Sequence, residues 1–434
     1  MTEDFLHYIW KFRKFDQLNI EAVDGSPVEI IETGTHNQDS GPDFLEAKLR
    51  IGDTLWVGNV EIHISSSSWY KHNHDKDRAY DSVILHVVYS YDQPVFLDKR
   101  ELPTLVLKDR FDYQVYRLYK SWKKESKFIP CENEVEAVSD IVKSSAIEEL
   151  AIQRIASKAE HSIDLLKQTN GDLEECFYRL ICRSMGLKVN AIPFEILARV
   201  TPFSVVRKVR SDQLKLDALI LGQSGLLQES SETHNYIQDL KREYAHLAKK
   251  FKLESMPSQS WKLMRLRPDN FPAIRLAQLS CIYHRHGSLV QQVTESDSLS
   301  EWISIFENIV LENEFWKTHY TLKKASHPKK KKLGTNRIRI ILINAVVPFL
   351  FALASYSKND VFKTKALNIL EGLEPEVNKI TRKFVKLGFR SSSALDSQGL
   401  IGIKKKYCDQ FKCVRCKIGV NILNNYEKSS LSHL

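Results

Sequence analysis

Asp43, Glu61 and His63 are residue types that hold and work with a divalent cation, and their spacing brings them together. Phe44 to Ile51 and Leu55 to Ile64 alternate apolar and polar residues and are joined by Gly52-Asp53, a tight hairpin turn. Strand side chains alternate faces, and opposed residues in an antiparallel hairpin are equidistant from the turn. With the turn centred on Gly52, Asp43 opposes Glu61 at roughly 5 Å between α-carbons. His63 then shares their face. Facing carboxylates repel unless a cation, a proton or a basic group resolves them. Mg²⁺ or Mn²⁺ held by Asp43 and Glu61 would do so, and the same ion suits phosphodiester hydrolysis, with His63 positioning the nucleophile or acting as general base. The alternative is a surface hairpin whose acids are paired with Lys or Arg, as Glu46, Lys48 and Arg50 on the other face would be.

The segment from Ser65 to Ser82 carries His72 and His74, on one side if extended, with Asp75, Asp77 and Asp81. It is an accessory ligand source or an exposed polar loop. Its length allows a parallel crossover but no long helix. His86 sits inside an apolar strand and reads as a hydrogen-bonded core histidine. A zinc hydrolase built on His63, His72, His74 and His86 is a further reading. Asp39, beside Asn37 in a turn-rich loop, is an accessory candidate whose usual role is to satisfy backbone amides.

Period analysis places a helix at Glu3 to Phe15, strands at Val28 to Ile31 and Val83 to Tyr89, and short edge strands at Pro94 to Leu97 and Thr104 to Leu107. Helical period dominates from about residue 136, over Val138 to Gln168, Leu173 to Met185, Gln213 to Leu221, Asn235 to Leu253 and Ser298 to Tyr320. The expected division is a mixed-sheet domain at 1–115, a basic linker at 116–135 containing Lys120, Lys123, Lys124 and Lys127, a helical region at 136–325, and a closing region at 326–434. The last holds a basic loop, a buried helix at Ile338 to Leu353 and a cysteine cluster. The chain has 434 residues, 43% hydrophobic and 27% charged, so an α+β fold in several domains is expected. Charges interrupt its apolar runs, and the acidic Met1-Thr2-Glu3-Asp4 start lacks secretory character, so a cytoplasmic protein without a membrane partner is expected.

The order helix, strand, Gly41-Pro42-Asp43 strand, Gly58-Asn59-Val60-Glu61-Ile62-His63 strand, short crossover and Val83 to Tyr89 strand resembles the core of the PD-(D/E)XK nuclease superfamily. The resemblance implies a restriction-endonuclease-like mixed sheet with flanking helices, followed here by a mostly α-helical region. It also implies catalytic roles for Asp43 and Glu61, with His63 where that superfamily has lysine. An acid on the first helix, Glu3 or Asp4, would complete the site. The whole chain also resembles a bacterial family of unknown function, through the two motifs above, Trp69, His72, His74, Tyr80-Asp81, Leu85-His86-Val87-Val88, Arg267-Pro268, Asn270, Pro272 and Tyr407-Cys408.

Cys408, Cys413 and Cys416 are spaced closely enough to converge on one ion or cluster. Their Lys and Arg neighbours would lower the thiol pKa values. Cys131, Cys176, Cys182, Cys281 or His433 would supply a fourth ligand. Similarity to nucleases that carry an iron-sulfur cluster on one distant and three C-terminal cysteines implies a cluster, with zinc the alternative and plain reduced thiols the third. Lys and Arg total 63 against 54 Asp and Glu. Lys329, Lys330, Lys331 and Lys332, followed by Arg337 and Arg339, and Arg265, Arg267 and Arg275 are candidate phosphate contacts, or a solvated face. Nucleic acid is the expected partner. The chain is thus read as a metal-dependent nuclease of DNA or RNA, or as a non-catalytic nucleic-acid-binding or interaction protein that keeps the fold.

Overall fold

The computed structural model describes every residue except Gln38, Glu125, Ser126 and 432–434, and side chains as far as residue 426. His433 lies outside the described residues. The chain forms two compact units, one of Met1–Ala146, Lys383–Phe389 and Ile403–Leu434, the other of Ile147–Arg382 and Arg390–Gly402.

The first unit is built on a mixed sheet. Helix α1 (Glu3–Lys11) precedes β1 (Val28–Glu32), the short β2 (Thr35–His36), β3 (Phe44–Ile51) and β4 (Thr54–Ser65). A crossover holding only the one-turn helix α2 (Ser68–Lys71) and two 3-10 turns leads to β5 (Val83–Ser90). The sheet order is β1-β3-β4-β5-β8, with β2 also on β3 and β8 spanning Thr104–Val106. β1, β3 and β4 run antiparallel, whereas β5 is parallel to β4 and β8 to β5. The first six residues of β5 are all buried, as its unbroken apolar run requires. Of the two expected edge strands, Thr104–Val106 takes that place. Phe96–Leu97 (β6) pairs instead with Arg100–Glu101 (β7) in a separate hairpin.

The β3–β4 turn has Gly52 at φ 58°, and Ile51 faces Thr54. Pairing continues in that register to Ala47 opposite Gly58. This is one residue out of step with a turn centred on Gly52, and uncorrected it would set Asp43 opposite Ile62, turned to the wrong face. A β-bulge between Phe44 and Ala47 inserts one residue into β3, and Phe44 meets Val60. Glu46 lies in the bulge at φ 55°, its N–H donated to Asn59 Oδ1 at 3.1 Å. Gly58 is required by close approach, since a β-carbon there would lie 2.4 Å from Ile84 Cγ2 and 2.7 Å from Ser82 O.

Of residues 116–135, expected as a linker, 116–124 are helical. Helix α3 (Tyr113–Lys124) buries Val115, Tyr116, Tyr119 and Trp122, because its aromatic residues recur at helical spacing between the lysines. The C-terminal segment belongs to the same unit. Tyr8 donates to Asn424 Oδ1 at 2.8 Å and Arg415 to Asp4 Oδ1 at 2.6 Å.

The second unit is helical around one large apolar core. The expected helix from Ser298 to Tyr320 is broken into Leu299–Phe306 and Glu314–Thr318. Thr335–Ser357 forms one helix with a π turn at Leu342–Val346. By length and composition alone it would reach across a membrane, and 72% of its apolar stretch is buried inside the protein, as the buried helix expected at Ile338 to Leu353 requires.

Candidate metal centre

The bulge puts Asp43 directly across from Glu61, and each carboxylate is anchored by the opposite strand. Asp43 N–H donates to Glu61 Oε2 at 3.1 Å, and Ile62 N–H donates to Asp43 Oδ2 at 3.0 Å. On the same face follow His63 from β4 and His86 from β5, which pairs with Glu61 in the parallel ladder. The crossover folds over this face and brings His72 and His74 to it.

Three histidine ligand atoms converge, and Glu61 Oε1 lies beside two of them. His63 Nε2 lies 3.1 Å from His72 Nδ1 and 3.6 Å from Glu61 Oε1, and His74 Nε2 lies 3.3 Å from the same Oε1. Among the described residues, His63, His72 and His74 are the group whose ligand atoms all fall within 4.8 Å of one another. Nitrogen or oxygen ligands at the vertices of a tetrahedron around zinc are about 3.4 Å apart. The observed spacings bracket that edge.

Burial sets the electrostatics. Glu61 is 5%, His63 1% and His86 0% exposed. Burial raises the Glu61 pKa, with the Asp43 charge adding to it. Burial, then His86 and the other histidines, pushes His63 down to about 2. His86 is pushed down to about 3, again mainly by burial. Both rings are therefore neutral, joined Nδ1 to Nε2 at 2.9 Å. His63 has neither the fixed charge of a lysine nor, with both nitrogens engaged, the free lone pair of a solvent-facing base. As a neutral ring beside His72 and Glu61 it is placed where it could hold a metal ion. His86 is the hydrogen-bonded core histidine expected, but it orients His63.

The residue that α1 contributes is His7, whose Nε2 is 3.1 Å from Asp43 Oδ2. Glu3 and Asp4 do not take this place, and Asp4 is engaged by Arg415. Nothing but a polar residue among the buried aromatic ones of α1 marked His7. Neither it nor His74 Nε2 makes an aligned hydrogen bond, although both atoms are buried. Trp69 and Tyr80 box in His74, Tyr80 stacking on it at 3.8 Å between centroids. His36, pushed down to about 4 chiefly by burial, packs edge-on against His7. Asp39 is exposed, its N–H bonded to Asn37 Oδ1 at 2.9 Å, the turn role its loop suggested.

The C-terminal cysteines form a second cluster in the same unit. Cys131, Cys408, Cys413 and Cys416 are buried, and Cys131 is close enough to feel the charge of the other three. Cys176, Cys182 and Cys281 lie in the second unit. Burial raises the thiols of Cys131 and Cys408 well above their ordinary value and Cys413 to about 12. At Cys408 the expected lowering by a flanking lysine, Lys404, is outweighed by desolvation.

The basic candidates all belong to the second unit. Arg265, Arg267, Lys330 and Lys332 are exposed. Lys329 pairs with Asp269 at 3.1 Å, and Lys331 is buried, its Nζ donating to the carbonyls of Trp316 and Lys317. The run is therefore not one solvated cationic face.

Residues 3–379 match a family whose description is "Protein of unknown function (DUF2851)". The match stops short of Tyr407-Cys408. No curated protein and no solved structure matches the chain.

Proposed function

Because the chain belongs to that bacterial family of unknown function, its activity has to be read from its site, and we propose that it is a metal-dependent hydrolase of phosphodiester bonds in nucleic acid. The observation that carries this reading is the convergence of His63, His72 and His74, with Glu61 beside His63 and His74 and Asp43 across the hairpin. The order of α1, three antiparallel strands, crossover and parallel β5 supports it by analogy with the PD-(D/E)XK core.

Buried donor atoms without aligned partners at His7 and His74 fit a bound cation. The imidazole-rich donor set favours Mn²⁺ or Zn²⁺ over Mg²⁺, which prefers oxygen. Such an ion supplies charge neutralisation at phosphate and a more acidic water. The chain does the rest. Glu61 and the three histidines hold the centre, and backbone N–H groups lock Asp43 and Glu61 in place. His86 holds the His63 ring, and His7 backs Asp43. The second reading, nucleic-acid binding without catalysis, is favoured by one observation: the neutral His63 leaves no fixed cation on β4 for the transition state.

We also assign Cys131, Cys408, Cys413 and Cys416 to one structural centre. The four are buried in one unit and Cys131 feels the other three, which suits an iron-sulfur cluster or a zinc ion. Its place beside Arg415 and Asp4 braces α1 and hence His7.

The test is incubation of the purified protein with single- and double-stranded DNA and RNA and Mg²⁺, Mn²⁺ or Zn²⁺. Cleavage that Asp43→Ala and His72→Ala abolish is expected. Nucleic-acid binding without cleavage of any substrate selects the second reading.

A further inference from the structure

The second unit buries two arginines that make no ion pair. Arg275 lies in the first turns of helix Pro272–Arg285, and Arg337 in the first turn of the long helix that starts at Thr335. They are 6% and 5% exposed. Arg275 donates through Nη1 to Gln278 Oε1 at 2.6 Å and through Nη2 to Asn270 Oδ1 at 2.6 Å. Arg337 Nη2 donates to that same Asn270 oxygen at 2.9 Å. One neutral amide oxygen thus holds two guanidinium groups together.

Among the described residues, no carboxylate lies within the 4.0 Å of an ion pair from either arginine. Asp269, the acid beside them, is turned to Lys329. Arg275 Nε and Arg337 Nη1 are buried and have no partner. Burial pushes Arg275 down to about 10 although Asp269 pulls it the other way, and burial with the charge of Arg275 pushes Arg337 down to about 9. A buried cation without a counter-ion is among the costliest groups a fold can carry, and two adjacent ones repel as well. Packing alone would be better served by apolar side chains of the same volume. The planar donors of two guanidinium groups match a tetrahedral oxyanion, and the positive ends of both helices add to the attraction.

We infer that Arg275 and Arg337, clamped by Asn270, form a binding site for a single phosphate group. The orphan donors lie below the surface, so the ligand is one small oxyanion or the terminal phosphate of a small molecule, and not a run of strand phosphates. This site is independent of the metal centre, whose residues all belong to the other unit.

The experiment is titration of the full-length protein with inorganic phosphate, at ionic strength held constant with chloride, read by calorimetry and thermal melting. Saturable one-to-one binding with a rise in Tm is expected. Arg337→Met should weaken it about tenfold or more, the loss of one charge-assisted contact, while Asp43→Ala leaves it unchanged. The absence of a saturable effect, or the same affinity in R337M, overturns the proposal. Should R337M not fold, broadening of the phosphate ³¹P line by the wild-type protein, reversed by excess sulfate, reads the site directly, and an unbroadened line refutes it. Competition by AMP names a nucleotide phosphate as the source, and binding of inorganic phosphate alone names the free ion.

Discussion

Replacing His86 by Gln tests whether the histidines at the centre are buried as neutral rings. In the unfolded chain a histidine titrates near 6.5, whereas folded His86 and His63 are held at about 3 and about 2. A base whose folded pKa is depressed contributes its full stability above the unfolded pKa. That stability is lost as pH falls from about 6.5 toward the folded value, because the unfolded state takes up protons that the folded state refuses. At pH 5 the unfolded ring is about 1.5 pH units below its pKa, which is about 2 kcal/mol per group. The metal-free wild type should therefore lose about 4 kcal/mol from this pair between pH 8 and pH 5, out of a total of about 5–15. In H86Q the amide can still bond His63 Nδ1 but does not titrate, so its loss over the same range should be smaller by about 2 kcal/mol. The assay is urea unfolding of chelator-treated protein at several pH values, comparing the two proteins so that all other titrations cancel. Equal pH dependence would refute the argument, for it would mean that His86 is charged or solvated when folded.

Two further outcomes are expected. Gly58→Ala should lower stability by about 1–3 kcal/mol, seen as a lower urea midpoint, because the new β-carbon would sit 2.7 Å from the fixed carbonyl of Ser82; an unchanged midpoint would show that β4 and β5 can part at no cost. Cys131→Ser should lose bound iron or zinc together with any visible absorbance, measured as metal per chain, and full retention of metal would remove Cys131 from the centre.

Much of the first unit was legible in local pattern. Alternation marks β3 and β4, Gly52-Asp53 marks their turn, the unbroken apolar run marks β5, and the short segment between β4 and β5 excludes a long crossover helix. Asp43, Glu61 and His63 were also placed together correctly, but the hairpin arithmetic missed how. Two offsets of one residue cancel, the turn register and the bulge at Glu46, and a bulge leaves almost no mark in composition. The long helices of the second unit followed from their period, while breaks such as that between Phe306 and Glu314 depend on how the segments pack.

What the amino-acid sequence determined by itself is what depends on neighbours in the chain: element type, turn positions, and which residues are able to ligate or carry charge. What only the tertiary structure decided is which of them meet and how wet they are. His7 reaches Asp43 across 36 positions, Cys131 joins cysteines nearly three hundred residues away, and Arg337 shares an oxygen with Arg275 across 62. Burial, which keeps His63 a neutral ring and leaves two arginines without an ion pair, is a property of the surrounding fold. It arises because desolvation depends on every element packed around a group, and no local spacing records that.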